Sequence, residues 1–141
     1  MRCMGLDLGD RWIGVALSDP GGILASPFSI IERIDDGQAL AAIADIINKE
    51  QVGKIVVGLP LSLDGTLSGQ AEKVNDFARK LAEQVEIPVE YRDERLTTVM
   101  AQRLKRASGG KKGRGKVRYD SQAAALILQN YLDESNPPKL T

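Results

Sequence analysis

Short apolar runs separated by turn residues open the chain. Cys3–Leu8 ends at Gly9-Asp10 and Trp12–Leu17 follows at once, which predicts a hairpin. Pro20-Gly21-Gly22 predicts a second turn, and Ile23–Ile34, interrupted by Pro27, a third strand. The period then changes. Leu40, Ile43 and Ile47 recur at helical spacing, which predicts a helix over Asp36–Lys49. Lys54–Leu59 is nearly continuously apolar, as suits a strand covered on both faces. Val74, Phe77, Leu81 and Val85 form one stripe of a second helix over Ser68–Val85, and Ile87–Tyr91 reads as a fifth strand. A third helix is expected over Thr98–Arg106, capped by Thr97 or Thr98, and a last one over Asp120–Leu132. Between these two, the Gly/Lys/Arg-rich stretch of about 107–118 is expected to be mobile.

This order predicts an α/β fold. Three antiparallel strands are followed by two crossover strands in a mixed five-stranded sheet with helices on both faces. With 141 residues, no internal repeat and no dividing linker, one domain over 1–135 and a tail over 136–141 are expected. The longest uncharged runs, Pro20–Ile31 and Ser121–Leu132, have 12 residues each. That is short of the roughly 18 of a spanning helix. The opening ten residues lack the apolar run of a secretory leader, so no membrane partner and a cytoplasmic location are expected.

Composition narrows the chemistry. The chain has no histidine and one cysteine. Histidine bases, Ser-His-Asp triads, intrachain disulfides and thiolate zinc sites are therefore excluded. What remains is carboxylates, hydroxyls, lysines, backbone groups and an oxygen-ligated metal. Three carboxylates fall at the ends of predicted elements. Asp7 closes the first strand between Gly5 and Gly9, which leave its face of the strand open. An acid in an apolar strand is costly unless paired or metal-bound, although a local turn role is the plainer alternative. Asp93-Glu94-Arg95 lies just past the strand Ile87–Tyr91, where crossover sheets bind ligands, or is simply a solvated charged loop. Asp120 opens the last helix, where an N-cap alone would explain it. Together the three acids suggest a cluster that holds Mg²⁺ or Mn²⁺. Two such ions about 4 Å apart activate water and stabilise the leaving oxygen in phosphodiester cleavage, with no need for histidine.

The net charge is zero but unevenly spread. Arg103, Lys105, Arg106, Lys111, Lys112, Arg114, Lys116 and Arg118 lie in a stretch with no acid, which leaves the rest of the chain acidic. Basic residues on a glycine-rich backbone can follow a phosphate chain. Ser62, Thr66 and Ser68 are further phosphate candidates, or no more than a turn and cap. The loop lacks the lysine and spacing of a P-loop. Trp12 and Cys3 are expected in packing roles.

GLDLGDRWIGVALSD (5–19), IVVGLPLSLDGT (55–66), YRDERLTTVMAQRL (91–104) and YDSQAAALILQNYLD (119–133) together resemble the YqgF family, RuvC-related and ribonuclease H-like. The four blocks span nearly the whole chain. The resemblance implies a ribonuclease H-like fold and a divalent-metal nuclease with Mg²⁺ or Mn²⁺, two ions in the simplest form. Asp7, Glu94 and Asp120 match the family's acids, Asp93 would assist by metal contact or by orienting its neighbours, and Arg95 would orient Glu94 or a phosphate. Family members are linked to maturation of the 5′ end of 16S ribosomal RNA and, by fold analogy, to branched DNA. Tyr119 stands where the family commonly has an aliphatic residue, which implies a packing change. The resulting expectation is a metal-dependent endonuclease acting on pre-16S rRNA as a monomer or weak dimer. The alternatives are a Holliday junction resolvase and a nucleic-acid or ribosome-binding module without chemistry.

Overall fold

The computed structural model describes residues 1–59, 69–93 and 114–135, with backbone alone at 70, 93 and 114–121. The elements are β1 (Arg2–Leu8), β2 (Trp12–Ser18), β3 (Ala25–Glu32), α1 (Asp36–Glu50), β4 (Val52–Leu59), α2 (Gly69–Gln84), β5 (Val89–Asp93) and α3 (Arg114–Ser135). The sheet order is β3-β2-β1-β4-β5. β1, β2 and β3 pair antiparallel, and β4 and β5 add parallel to β1, as the pattern predicts.

Tight turns set the antiparallel half. The Gly9 N–H donates to the Trp12 carbonyl at 3.0 Å, and a Cβ on Gly9 would meet that oxygen at 2.6 Å. In the next turn the Asp19 carboxylate accepts from the N–H groups of Ile23 and Leu24, which lowers its pKa. Gly22 takes φ +71° there, in the left-handed region that glycine tolerates. β3 runs through Pro27, because it is an edge strand and its register with β2 shifts between Val15 and Ala16, opposite the proline.

Alternation on the central strands divides the interior in two. Met4, Leu6, Ile55 and Val57 meet Leu40 and Ile43 of α1 and Phe77 and Leu81 of α2. On the other face, Ala16 and Val56 meet Ala124, Ile127, Leu128 and Leu132 of α3. β4 is apolar almost throughout because Val56 and its neighbours Ile55 and Val57 serve different cores. α1 is capped by Asp35, whose carboxylate accepts from the Gln38 N–H at 2.8 Å. Arg33 closes the first core. Its guanidinium lies 4.6 Å from the Phe77 ring centroid and donates to Asp36 and to the Gly9 carbonyl.

Two expectations are corrected. α3 begins at Arg114, so 114–118 belongs to the helix and not to a mobile loop. Arginine and lysine are good helix formers, and the stretch carries no apolar stripe that would mark a helix in advance. Asp120 consequently sits in the second turn of α3 and is not its N-cap. The expected helix Thr98–Arg106, the residues Ser62, Thr66 and Ser68, and the tail 136–141 lie outside the described residues. Among the described residues, no helix is long and apolar enough to cross a membrane.

Candidate active site

β1, β4 and β5 are parallel, so their carboxyl ends share one edge of the sheet. Ligands of open α/β sheets bind at that edge. Asp7 stands one residue before the end of β1, half-buried, on the face covered by α3. Its neighbour on that face is Gly5. A Cβ on Gly5 would lie 2.7 Å from the Leu128 Cβ and 2.8 Å from the Ala124 carbonyl oxygen. The helix backbone therefore rests directly on β1, and position 5 must be glycine for it to do so.

Glycines also flank Asp7 across the sheet. Its β2 partner is Gly14. The β1–β4 register pairs Leu6 with Val57, and one step on it sets Gly58 beside Asp7. Gly58 in turn pairs with Arg92 of β5. The row across the sheet is thus Gly14, Asp7, Gly58 and Arg92, with no Cβ on either immediate neighbour of the acid. Asp120 lies four residues, about one helical turn, before Ala124, the residue whose carbonyl covers Gly5. That spacing puts position 120 on the stripe of α3 that faces β1.

Asp93 is the last residue of β5 and not a residue beyond it. It pairs with Leu59, in the row that alternates with Arg92 and belongs to the α1–α2 face. Glu94, Arg95, Arg103, Lys105, Arg106, Lys111 and Lys112 lie outside the described residues. Arg114, Lys116 and Arg118 occupy the first turns of α3. Among the described side chains, no three potential ligands stand close enough to hold a metal ion. Asp7 itself suits one: a hard divalent cation takes carboxylate oxygens, and the glycines around Asp7 leave room for it.

The α3 face carries a second polar group that the sequence did not single out. Tyr131 accepts a hydrogen bond from Lys54 Nζ at 2.9 Å and donates to the Glu90 carboxylate at 2.5 Å. Lys54 also pairs with Glu90 at 3.0 Å. These contacts tie the C-terminal half of α3 to β4 and β5. The Tyr131 hydroxyl and then Lys54 hold Glu90 below the usual carboxylate range. Cys3, next to Lys54 in the register, has its thiol pushed up by burial, which disfavours the reactive thiolate.

A pH dependence follows. A carboxylate with a depressed folded pKa contributes stability above its unfolded pKa, about 4.3 for glutamate, and loses it as pH falls through the folded value. Tyr131→Phe removes the larger of the two causes. We expect the drop in urea midpoint between about pH 6 and about pH 3.5 to be smaller in this variant than in wild type. Equal drops would show that Tyr131 does not set the Glu90 titration.

The comparisons with known proteins agree with this architecture. The RuvX family, described as Holliday junction resolvase, matches residues 1–134. A relative from Dehalococcoides mccartyi, named "Putative pre-16S rRNA nuclease", is 48% identical over 131 residues, 93% of this chain and 97% of the relative. A relative of the same name from Thermoanaerobacter pseudethanolicus is 47% identical over 135 residues, 94% of this chain and 96% of its own. Among solved structures, T. thermophilus RuvC in complex with Holliday junction substrate superposes with a TM-score of 0.60 at 13% identity, covering 97% of both chains. The fowlpox virus resolvase with Holliday junction DNA gives 0.55 at 10% identity, covering 96% of this chain and 99% of that one. At such identities the likeness concerns the fold, which is the ribonuclease H-like fold of the resolvases. Matched by the family over nearly its whole length and by relatives close to half identical, the chain belongs to the RuvX family and is a nuclease.

Proposed function

We propose that this protein is a divalent-metal-dependent endonuclease that trims the 5′ end of pre-16S rRNA in the cytoplasm. The observation that carries the reading is Asp7, set at the carboxyl edge of the sheet between glycines and on the face of α3. Asp7, Glu94 and Asp120 would hold Mg²⁺ or Mn²⁺ through their carboxylates, in the simplest arrangement as a pair of ions. When bound, the ions supply a water nucleophile at neutral pH and charge stabilisation at the leaving oxygen. The chain's own part is to fix the acids. β1 presents Asp7, β5 leads into Glu94, and α3 carries Asp120. Asp93 would assist, by metal contact or by orienting its neighbours. The basic residues, Arg103, Lys105, Arg106, Lys111, Lys112, Arg114, Lys116 and Arg118, grip phosphates, and Arg95 orients Glu94 or a phosphate.

The names of the close relatives favour ribosomal RNA as substrate. The family description and the RuvC-like fold favour a second reading, resolution of four-way DNA junctions. An assay with end-labelled precursor 16S RNA fragment, generic single-stranded RNA and a four-way DNA junction separates them. We expect cleavage of the precursor fragment in Mg²⁺ or Mn²⁺ and none in EDTA. Preference for the junction would transfer the reading to the resolvase. Cleavage undiminished by EDTA would remove the metal from it.

A further inference from the structure

Arg92 lies within the block 91–104 but is given no role there, and its position is unusual. It lies in the same row and on the same sheet face as Asp7, two strands away, with only Gly58 between them. At the usual strand spacing that is about 10 Å between backbones. The glycine leaves no side chain to separate the guanidinium from the acid's surroundings.

The contacts of Arg92 do not account for it as a structural residue. Its Nη2 donates to Glu134 of α3 at 2.5 Å, but the Glu134 side chain is 60% exposed. Ion pairs with so exposed a partner contribute little to stability. Its Nε is buried and has no hydrogen-bond acceptor among the described residues. A guanidinium has five donors, and this one is held at one edge by Glu134 while its side chain remains 27% exposed. A cation held at one edge, with donors to spare and set in the same row as Asp7, suits an anionic ligand with several oxygens. Arginine meets phosphate in that way through paired N–H groups.

We infer that Arg92 binds a phosphodiester oxygen of the nucleic-acid strand next to the bond being cut, with Glu134 holding its guanidinium in place. The inference rests on the nuclease reading above and adds a substrate contact to it. The phosphate comes from an RNA or a DNA backbone alike, so both are used as probes.

The test measures binding in the Asp7→Asn background, where the substrate stays intact. The probes are the labelled precursor 16S RNA fragment and the four-way DNA junction, titrated over a range of salt. Arg92→Gln should weaken binding about tenfold and make the slope of log K against log salt shallower by about one, the signature of one lost phosphate contact. Arg92→Lys should keep the wild-type slope, since it keeps the charge, while losing part of the affinity. In the otherwise wild-type enzyme, Arg92→Gln should raise KM more than it lowers kcat. The inference is overturned if Arg92→Gln leaves affinity and slope unchanged while Arg92→Gln and Glu134→Gln lower thermal stability equally, because the pair would then be a strut between β5 and α3. Cleavage by the wild-type enzyme is scored separately, so a failed nuclease reading is distinguishable from a failed phosphate contact.

Discussion

Asp7→Asn is expected to reduce metal-dependent cleavage by about 10²-fold or more, the upper end of what losing even an outer-shell partner of a metal costs. Asparagine has the same shape, so the row of Gly14, Asp7, Gly58 and Arg92 stays as it is. What changes is the charge that a hard cation requires. Single-turnover cleavage of the precursor fragment reads the effect, with circular dichroism as the check that the fold persists. A second measurement does not depend on turnover. A metal that binds the folded state alone stabilises it by about 2.7 kcal/mol at a hundredfold excess over its Kd. Mn²⁺ should therefore raise the melting temperature of the wild type and leave that of Asp7→Asn nearly unchanged. Cleavage within tenfold of wild type, together with a retained Mn²⁺ shift, would take Asp7 out of the site.

The second large effect is expected at a residue that carries no functional group. Gly5→Ala places a methyl 2.7 Å from the Leu128 Cβ and 2.8 Å from the Ala124 carbonyl oxygen, neither of which is a flexible end. α3 must lift or shift, at a cost of about 1–3 kcal/mol for overpacking a tight interior. Since α3 also carries Asp120, kcat should fall along with stability although every candidate acid is intact. Gly53→Ala is the control. The atoms nearest its new Cβ belong to the side chain of Met1, a residue that is 85% exposed and can swing away, so near-neutral stability is expected. Urea unfolding and cleavage rates on the two variants test the argument. Equal behaviour of Gly5→Ala and Gly53→Ala would mean that α3 does not rest on β1 as closely as the structure has it.

Much of this fold is legible because burial writes itself into residue order. β4 reads as a strand covered twice since its two sets of alternate residues face different cores. α1 and α2 read as helices since each has one buried stripe, Leu40, Ile43 and Ile47 in the first and Val74, Phe77 and Leu81 in the second. The start of α3 is not legible. Its first turns carry four charged residues and Gly115, with Val117 and Tyr119 too few to draw an apolar stripe, and helix propensity without such a stripe is a weak signal. Asp120 therefore looks like a cap when it lies inside the helix.

The candidate site divides in the same way. Asp7 stands out in sequence because an acid in an apolar strand is costly. Its glycine neighbours Gly14 and Gly58 do not, because only strand register reveals them as neighbours. Arg92 and Asp93 are adjacent in sequence and look equivalent there. Pairing with Gly58 and Leu59 sends them to opposite rows, and so to opposite sides of the sheet.

Pro27 has a consequence for how copies of the protein can meet. β3 is an outermost strand, and a foreign strand laid against it would need a continuous series of main-chain donors. The proline withholds one in the middle of that series, where the β2–β3 ladder is already out of step. The β3 edge is thereby a poor template for sheet-to-sheet polymerisation, even with Phe28 exposed beside it.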